Sequence, residues 1–164
     1  MRLFFDFPTR HFQLREIGRL TGLGLPSVSN HLKRLKKDGL VRKERGSVYP
    51  NWVASESELF KVYKRDDTLI RLVESGLIQF LADNSLPDVI VLFGSASRGE
   101  DFETSDIDLL LVASEKKLDV QRFERLLHRK IALHFEPNVA KIPKELLNNV
   151  INGIVVHGYL KAFS

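Results

Sequence analysis

Residues Val89 to Val112, V-I-V-L-F-G-S-A-S-R-G-E-D-F-E-T-S-D-I-D-L-L-L-V, constrain this chain more than any other stretch. Val89 to Phe93 is a short run of β-branched and large apolar residues, which suits a buried strand. Gly94-Ser95 breaks that run and opens a segment of small and polar residues. A second apolar run, Ile107 to Val112, follows, with Asp106 and Asp108 at its start. Strand side chains alternate between faces, so residues two apart point the same way. Asp106 and Asp108 are therefore expected to project together from one strand edge, with Ile107 turned inward.

Two carboxylates held that close repel each other unless a cation stands between them. Oxygen donors suit Mg²⁺, which takes one or two carboxylates and fills its other positions with water and substrate phosphates. Gly94-Ser95 supplies the complementary half, because glycine lets backbone N–H groups approach a ligand closely. A helix starting through Ala96 and Ser97 would turn its positive end toward an anion. Arg98 adds a guanidinium suited to phosphate oxygens. A D-x-D pair alone also fits a solvated surface loop. It is the joint pattern that points to chemistry: G-S-x-x-R-G, a spacer, then S-D-I-D-L between two apolar strands.

Gly94-Ser95, Arg98-Gly99 and Ser105-Asp106-Ile107-Asp108-Leu109 resemble the signature of the minimal nucleotidyltransferases, small members of the polymerase-beta-like superfamily. The likeness covers Ser85 to His157 loosely and is strongest from Leu92 to Val112. It implies that Asp106 and Asp108 bind divalent metal, Mg²⁺ or Mn²⁺. It implies that Gly94, Ser95, Arg98, Gly99 and Ser105 hold ATP or another nucleoside triphosphate, and that a nucleotidyl group passes to an acceptor hydroxyl or phosphate. A third carboxylate normally completes such a site from a neighbouring strand. Here that strand is Lys130 to Glu136, with Ala132, His134 and Glu136 on one face. The acid is expected near Ala132 or His134, and neither position carries one. Three alternatives follow: Glu136 substitutes as the catalytic acid, His134 serves as ligand or base, or the site binds nucleotide without turning it over.

The charge is divided along the chain. Residues 1–65 hold 14 Lys and Arg against 6 Asp and Glu, a net +8; residues 66–164 hold 11 against 15, a net −4. Such asymmetry suggests two modules with different partners, the basic one facing a polyanion. With no cysteine, disulfides and thiolate metal sites are excluded. No apolar run approaches the ~20 residues that span a bilayer, and the start M-R-L-F-F-D-F-P makes a poor signal peptide. A cytoplasmic protein without a membrane partner is expected.

In the basic module, Leu14, Ile17, Leu20 and Leu23 predict a helix over Leu14 to Thr21. Thr21-Gly22-Leu23-Gly24 makes a turn. Leu25-Pro26-Ser27 opens a second helix, with proline where its missing N–H costs little. Val28, Leu32 and Leu35 form that helix's buried stripe. Ser27, Ser29, Asn30, His31, Lys33 and Arg34 are its candidate DNA-reading residues, most of them away from the stripe. Residues 40–53 read as a β-hairpin with a basic tip. Helix, turn, helix and basic hairpin resemble the winged-helix DNA-binding domain, which implies that double-stranded DNA contacts the second helix and that Arg42 and Arg45 meet phosphates or the minor groove.

The expected class is α+β: a winged helix-turn-helix domain (1–55), a helical connector (56–84) broken at Arg65-Asp66-Asp67, and a small nucleotidyltransferase-type α/β domain with a mixed sheet (85–164). Helices are expected on one face of that sheet, and His157 and Tyr159 are read as packing residues. Two functions remain open. One is a metal-dependent nucleotidyltransferase coupled to DNA binding. The other is a DNA-binding transcriptional regulator whose degenerate transferase module holds only a nucleotide or a partner. The resemblance also implies an antitoxin role beside a small helical HEPN-type toxin, with a homodimer as the expected assembly.

Overall fold

The computed structural model describes residues 1–45 and 49–160. They fall into two compact units, Met1–Lys64 and Arg65–Ser164. None of the described helices is long and apolar enough to cross a membrane.

The first unit opens with α1 (Arg2–Asp6) and β1 (Phe12–Gln13), followed by α2 (Leu14–Thr21) and α3 (Leu25–Lys37). Gln13 starts α2 with a reciprocal cap in which the Glu16 carboxylate accepts its backbone N–H. Gly22, at φ 69°, ends α2, a left-handed conformation that glycine adopts without steric cost. The buried stripe of α2 runs through Ile17 and Gly18, whereas Leu20 and Leu23 are 50% and 44% exposed. Gly18 explains the difference from the expected spacing. A Cβ there would stand 3.2 Å from the Leu23 carbonyl and 3.3 Å from Leu25 Cδ2, so the turn folds back over a glycine. On α3, Val28 and Leu32 are buried and Leu35 packs beside them. Strands β2 (Val41–Glu44) and β3 (Asn51–Ala54) pair antiparallel, and β3 also pairs with β1, giving the order β1-β3-β2. Phe4, Phe12, Trp52 and Phe60 fill the core between sheet and helices. The Gly46-Ser47 turn of the expected hairpin lies, with Val48, outside the described residues.

The next helix, α4 (Glu58–Glu74), runs unbroken through Arg65-Asp66-Asp67. Charged side chains are compatible with a helix when they are solvated or paired, and Arg71 meets Asp67 one turn away at 3.7 Å. The break falls instead at Gly76, φ 77°, before α5 (Leu77–Ser85).

The second unit is built on a mixed four-stranded sheet in the order β6-β5-β4-β7. β4 (Val89–Phe93) pairs antiparallel with both β5 (Ile107–Val112) and β7 (Ile154–Gly158), and β5 pairs parallel with β6 (Ile131–Glu136). The parallel pair needs a crossover, which contains α6 (Gln121–Leu127). Helices cover both faces rather than one. Ile90, Leu92, Leu109 and Leu111 pack with residues of α4, α5 and α6. On the opposite face Val89, Val91, Leu110 and Val112 pack with Val150 of α7 (Lys144–Ile151) and with Ile142. That double coverage is why β4 is apolar at every position. Each fully buried leucine contributes ~1.5–3 kcal/mol. His157 is exposed and Tyr159 is 74% exposed, so neither is a packing residue. His157 lies in the edge strand β7 and Tyr159 just past its end.

Candidate active site

Where β4 ends, Gly94 turns the chain at φ 73°. The helix expected to start through Ala96 and Ser97 is a single 3-10 turn, Ala96–Arg98. Local bonds close it: the Ser97 hydroxyl donates to the Gly94 carbonyl at 2.8 Å, and the N–H groups of Arg98 and Glu100 donate to the Ser95 carbonyl at 3.1 and 3.0 Å. Any attraction for an anion here comes from the amides and dipole of a single turn. Gly94 and Ser95 are half-buried, Gly99 is buried, and Arg98 is exposed with its Nε bonded to Glu100 at 2.8 Å.

The turn meets β5 at its charged end. Phe93 stands opposite Asp108 in the antiparallel register. A Cβ built on Gly94 would lie 2.6 Å from Oδ2 of Asp108, so the glycine's missing side chain is the space that the carboxylate occupies. Asp106 lies two residues earlier, just ahead of the strand and exposed, while Asp108 is half-buried.

Two residues that the sequence reading did not single out hold the approach to Asp106. Arg129 Nη2 donates to Asp101 Oδ2 at 2.5 Å and Nη1 donates to the Ser105 carbonyl at 3.0 Å. The two side chains are only 11% and 5% exposed. The Ile107 N–H donates to the Lys130 carbonyl at 2.8 Å. Asp106 is therefore bracketed, with the peptide groups before and after it bonded to consecutive residues 129 and 130. The Ser105 hydroxyl accepts the Phe102 N–H at 2.9 Å, which closes the loop on itself. No local pattern reveals this pairing, because Asp101 and Arg129 stand 28 residues apart. The hint is only an arginine placed just ahead of a predicted strand. An open groove of about 520 Å³ adjoins this loop, bordered by Thr104, Ser105, Gln121, Arg125, His128 and Arg129.

β6 supplies the remaining face. Its parallel register sets Ala132 beside Asp108, His134 beside Leu110 and Glu136 beside Val112. No carboxylate stands at the position next to Asp108. Glu136 is four residues further along, ~13 Å at the usual rise per strand residue. The structure thus sets Gly94 against Asp108 and leaves Glu136 at the other end of the strand. His134 reaches back instead: its Nε2 stands 3.5 Å from Asp108 Oδ1, and Phe93 packs against the ring at 5.2 Å. That Nε2 is buried and has no hydrogen-bond partner among the described residues.

These groups fit a hard divalent ion bound together with a phosphate. Among the described residues no three acidic, histidine or cysteine side chains close around an ion by themselves. An ion bound by two carboxylates and completed by substrate oxygens and water needs no such closed cage.

In the first unit, Ser27, Asn30, His31, Lys33 and Arg34 are exposed along α3, and Ser29 is half-buried. Arg42 is exposed and paired with Glu56 at 3.2 Å and Glu44 at 3.7 Å. Arg45, just past β2, is exposed.

The family model described as Polymerase beta, Nucleotidyltransferase matches residues 75–159. That span runs from α5 through β7 and includes the Gly94 turn, both aspartates and β6. No curated protein sequence matches the chain.

Proposed function

The chain belongs to the polymerase-beta nucleotidyltransferase family, and we propose that it transfers a nucleoside monophosphate from ATP or another nucleoside triphosphate to a hydroxyl acceptor. The observation that carries this reading is the fit of Gly94 to Asp108, which sets that carboxylate directly against the turn that ends β4. Asp106 and Asp108 would hold the divalent ion, Mg²⁺ or Mn²⁺. Such an ion neutralises phosphate charge and polarises the α-phosphorus. Ser95, the amides of its turn and Arg98 would hold the triphosphate, with Ser105 and Gly99 shaping the loop around it. The acceptor oxygen bonds to the α-phosphorus, the bridge to the β-phosphate breaks, pyrophosphate leaves and the hydroxyl proton passes to water. Positioning and charge neutralisation do most of this work.

The first unit, in this reading, is a winged helix-turn-helix that binds double-stranded DNA. Its support is the α2–turn–α3 arrangement, the β1-β3-β2 sheet and the basic outer face of α3. An antitoxin role, with a homodimer and a HEPN-type toxin as partner, belongs to the same proposal; co-purification and solution mass test it.

A second reading is favoured by Ala132, which stands where a third carboxylate would face Asp108. There the module holds a nucleotide without turnover and the protein acts as a DNA-binding regulator. Incubation with divalent metal and α-labelled nucleoside triphosphates, alone and with host lysate, separates the two. A labelled macromolecule supports transfer; nucleotide bound without label supports the regulator.

A further inference from the structure

Asp108 has two carboxylate oxygens, and each meets a different boundary. Oδ2 lies 2.6 Å from where a Cβ on Gly94 would stand, against the turn. Oδ1 lies 3.5 Å from Nε2 of His134. That contact is long for a hydrogen bond; it is an imidazole–carboxylate pair. The His134 side chain is 40% exposed, so water is within reach of its ring. Yet Nε2 itself is buried, with no hydrogen-bond partner among the described residues. The ring is therefore turned nitrogen-first toward the carboxylate rather than out to solvent. Phe93 packs against that ring, with centroids 5.2 Å apart and planes at 63°. Phe93 and Gly94 are consecutive, so the chain where β4 ends borders both members of the pair.

We propose that His134 is a positioning residue for Asp108, fixing which carboxylate oxygen faces the Gly94 turn; this rests on Asp108 being a ligand of the divalent ion. The last torsion of an aspartate is broad, so a half-buried carboxylate does not hold one orientation by itself. A metal ligand gains when a neighbour outside the coordination sphere sets its orientation. Ala132, beside Asp108 in the parallel register, offers only a methyl group. His134 is two residues further along the same face of β6 and reaches back to supply the polar neighbour. The imidazole acts through Asp108, not on the ion or the nucleotide.

The test measures binding of the Mn²⁺ complex of ATP to the full chain by equilibrium dialysis, beside thermal melts in chelator. His134→Leu keeps an apolar side chain against Phe93 and loses the ring nitrogen. It is expected to melt close to the wild type and to bind about tenfold more weakly, the scale on which partners of metal ligands act. His134→Gln puts an N–H donor back at similar reach and is expected to recover most of that loss. His134→Leu binding like the wild type, or His134→Gln binding no better than His134→Leu, overturns the proposal. Binding that falls in step with the melting temperature in both variants also overturns it, because that is a packing role. Asp108→Asn separates the failures. If it weakens binding and His134→Leu does not, this inference alone fails. If the wild type does not bind the complex, or Asp108→Asn binds it as tightly, the metal reading of Asp108 fails as well.

Discussion

Gly94 and Asp108 share one small volume: a Cβ on the glycine would lie 2.6 Å from the aspartate's Oδ2, and the glycine's own φ is 73°. The turn after β4 and the acid on β5 are therefore fitted to each other. A side chain at position 94 cannot be added without moving the carboxylate, and the backbone there also resists one.

Gly94→Ala should accordingly act on chemistry more than on folding. The left-handed conformation costs an alanine ~1–2 kcal/mol, so thermal unfolding should move by several degrees. The displaced Asp108 carboxylate should weaken metal–nucleotide binding about tenfold or more, each factor of ten being ~1.4 kcal/mol. Paired melting and binding curves check this. Unchanged binding with lowered stability would mean that the glycine serves the turn alone.

Arg129→Ala should be among the most destabilising surface-distant changes in the second unit. It leaves Asp101, 5% exposed, without its guanidinium partner, and breaking a buried ion pair from one side typically costs ~3–5 kcal/mol. The double variant Arg129→Met with Asp101→Leu should recover a large part of that loss, because no lone charge remains. Denaturant unfolding of the two singles and the double measures the coupling.

Ala132→Asp would place a third carboxylate beside Asp108. Without metal it should lower the melting temperature, since three acids then crowd one strand end. With Mg²⁺ it should raise the melting temperature above its metal-free value by more than the wild type gains. Melts in chelator and in Mg²⁺ give both signs, and a variant indifferent to Mg²⁺ would argue that no ion is held there.

Binding of double-stranded DNA by the first unit should be steeply salt-dependent, since Lys33 and Arg34 lie exposed on α3. Replacing a lysine that contacts a phosphate should lower the slope of log K against log salt by about 1. An arginine reading a base edge should instead relax sequence preference at a cost of ~1–3 kcal/mol. Filter binding at graded salt with Lys33→Ala and Arg34→Ala separates these roles; no salt-dependent binding would remove DNA as a partner.

Much of the second unit was legible in its sequence because its strands are both short and apolar on both sides. Val89 to Phe93 and Ile107 to Val112 announce themselves, and the register then fixes where Asp108 lies. The break of α4 was not legible from charge. Arg65-Asp66-Asp67 looked like an interruption, but paired charges continue a helix, and Gly76 was the real stop. The stripe of α2 was misread for a related reason: leucines at 20 and 23 continue a numerical spacing, while the turn closes over Gly18, which leaves no hydrophobic mark. Within the site, the acids and the glycine turn were visible as a motif. Arg129 and Asp101 were not, because their partnership exists only after β6 is laid beside β5. Glu136 had the right chemistry on the right face, and only the strand's length separates it from Asp108.

The most direct measurement is metal-dependent binding and transfer of an α-labelled nucleoside triphosphate by the full chain and by Asp106→Asn/Asp108→Asn, with both shown to be folded. The account predicts binding that requires a divalent ion in the wild type, and in the double variant a loss of at least roughly a hundredfold, the scale on which charge stabilisation at a reacting centre acts. Equal binding and transfer by the double variant would contradict it.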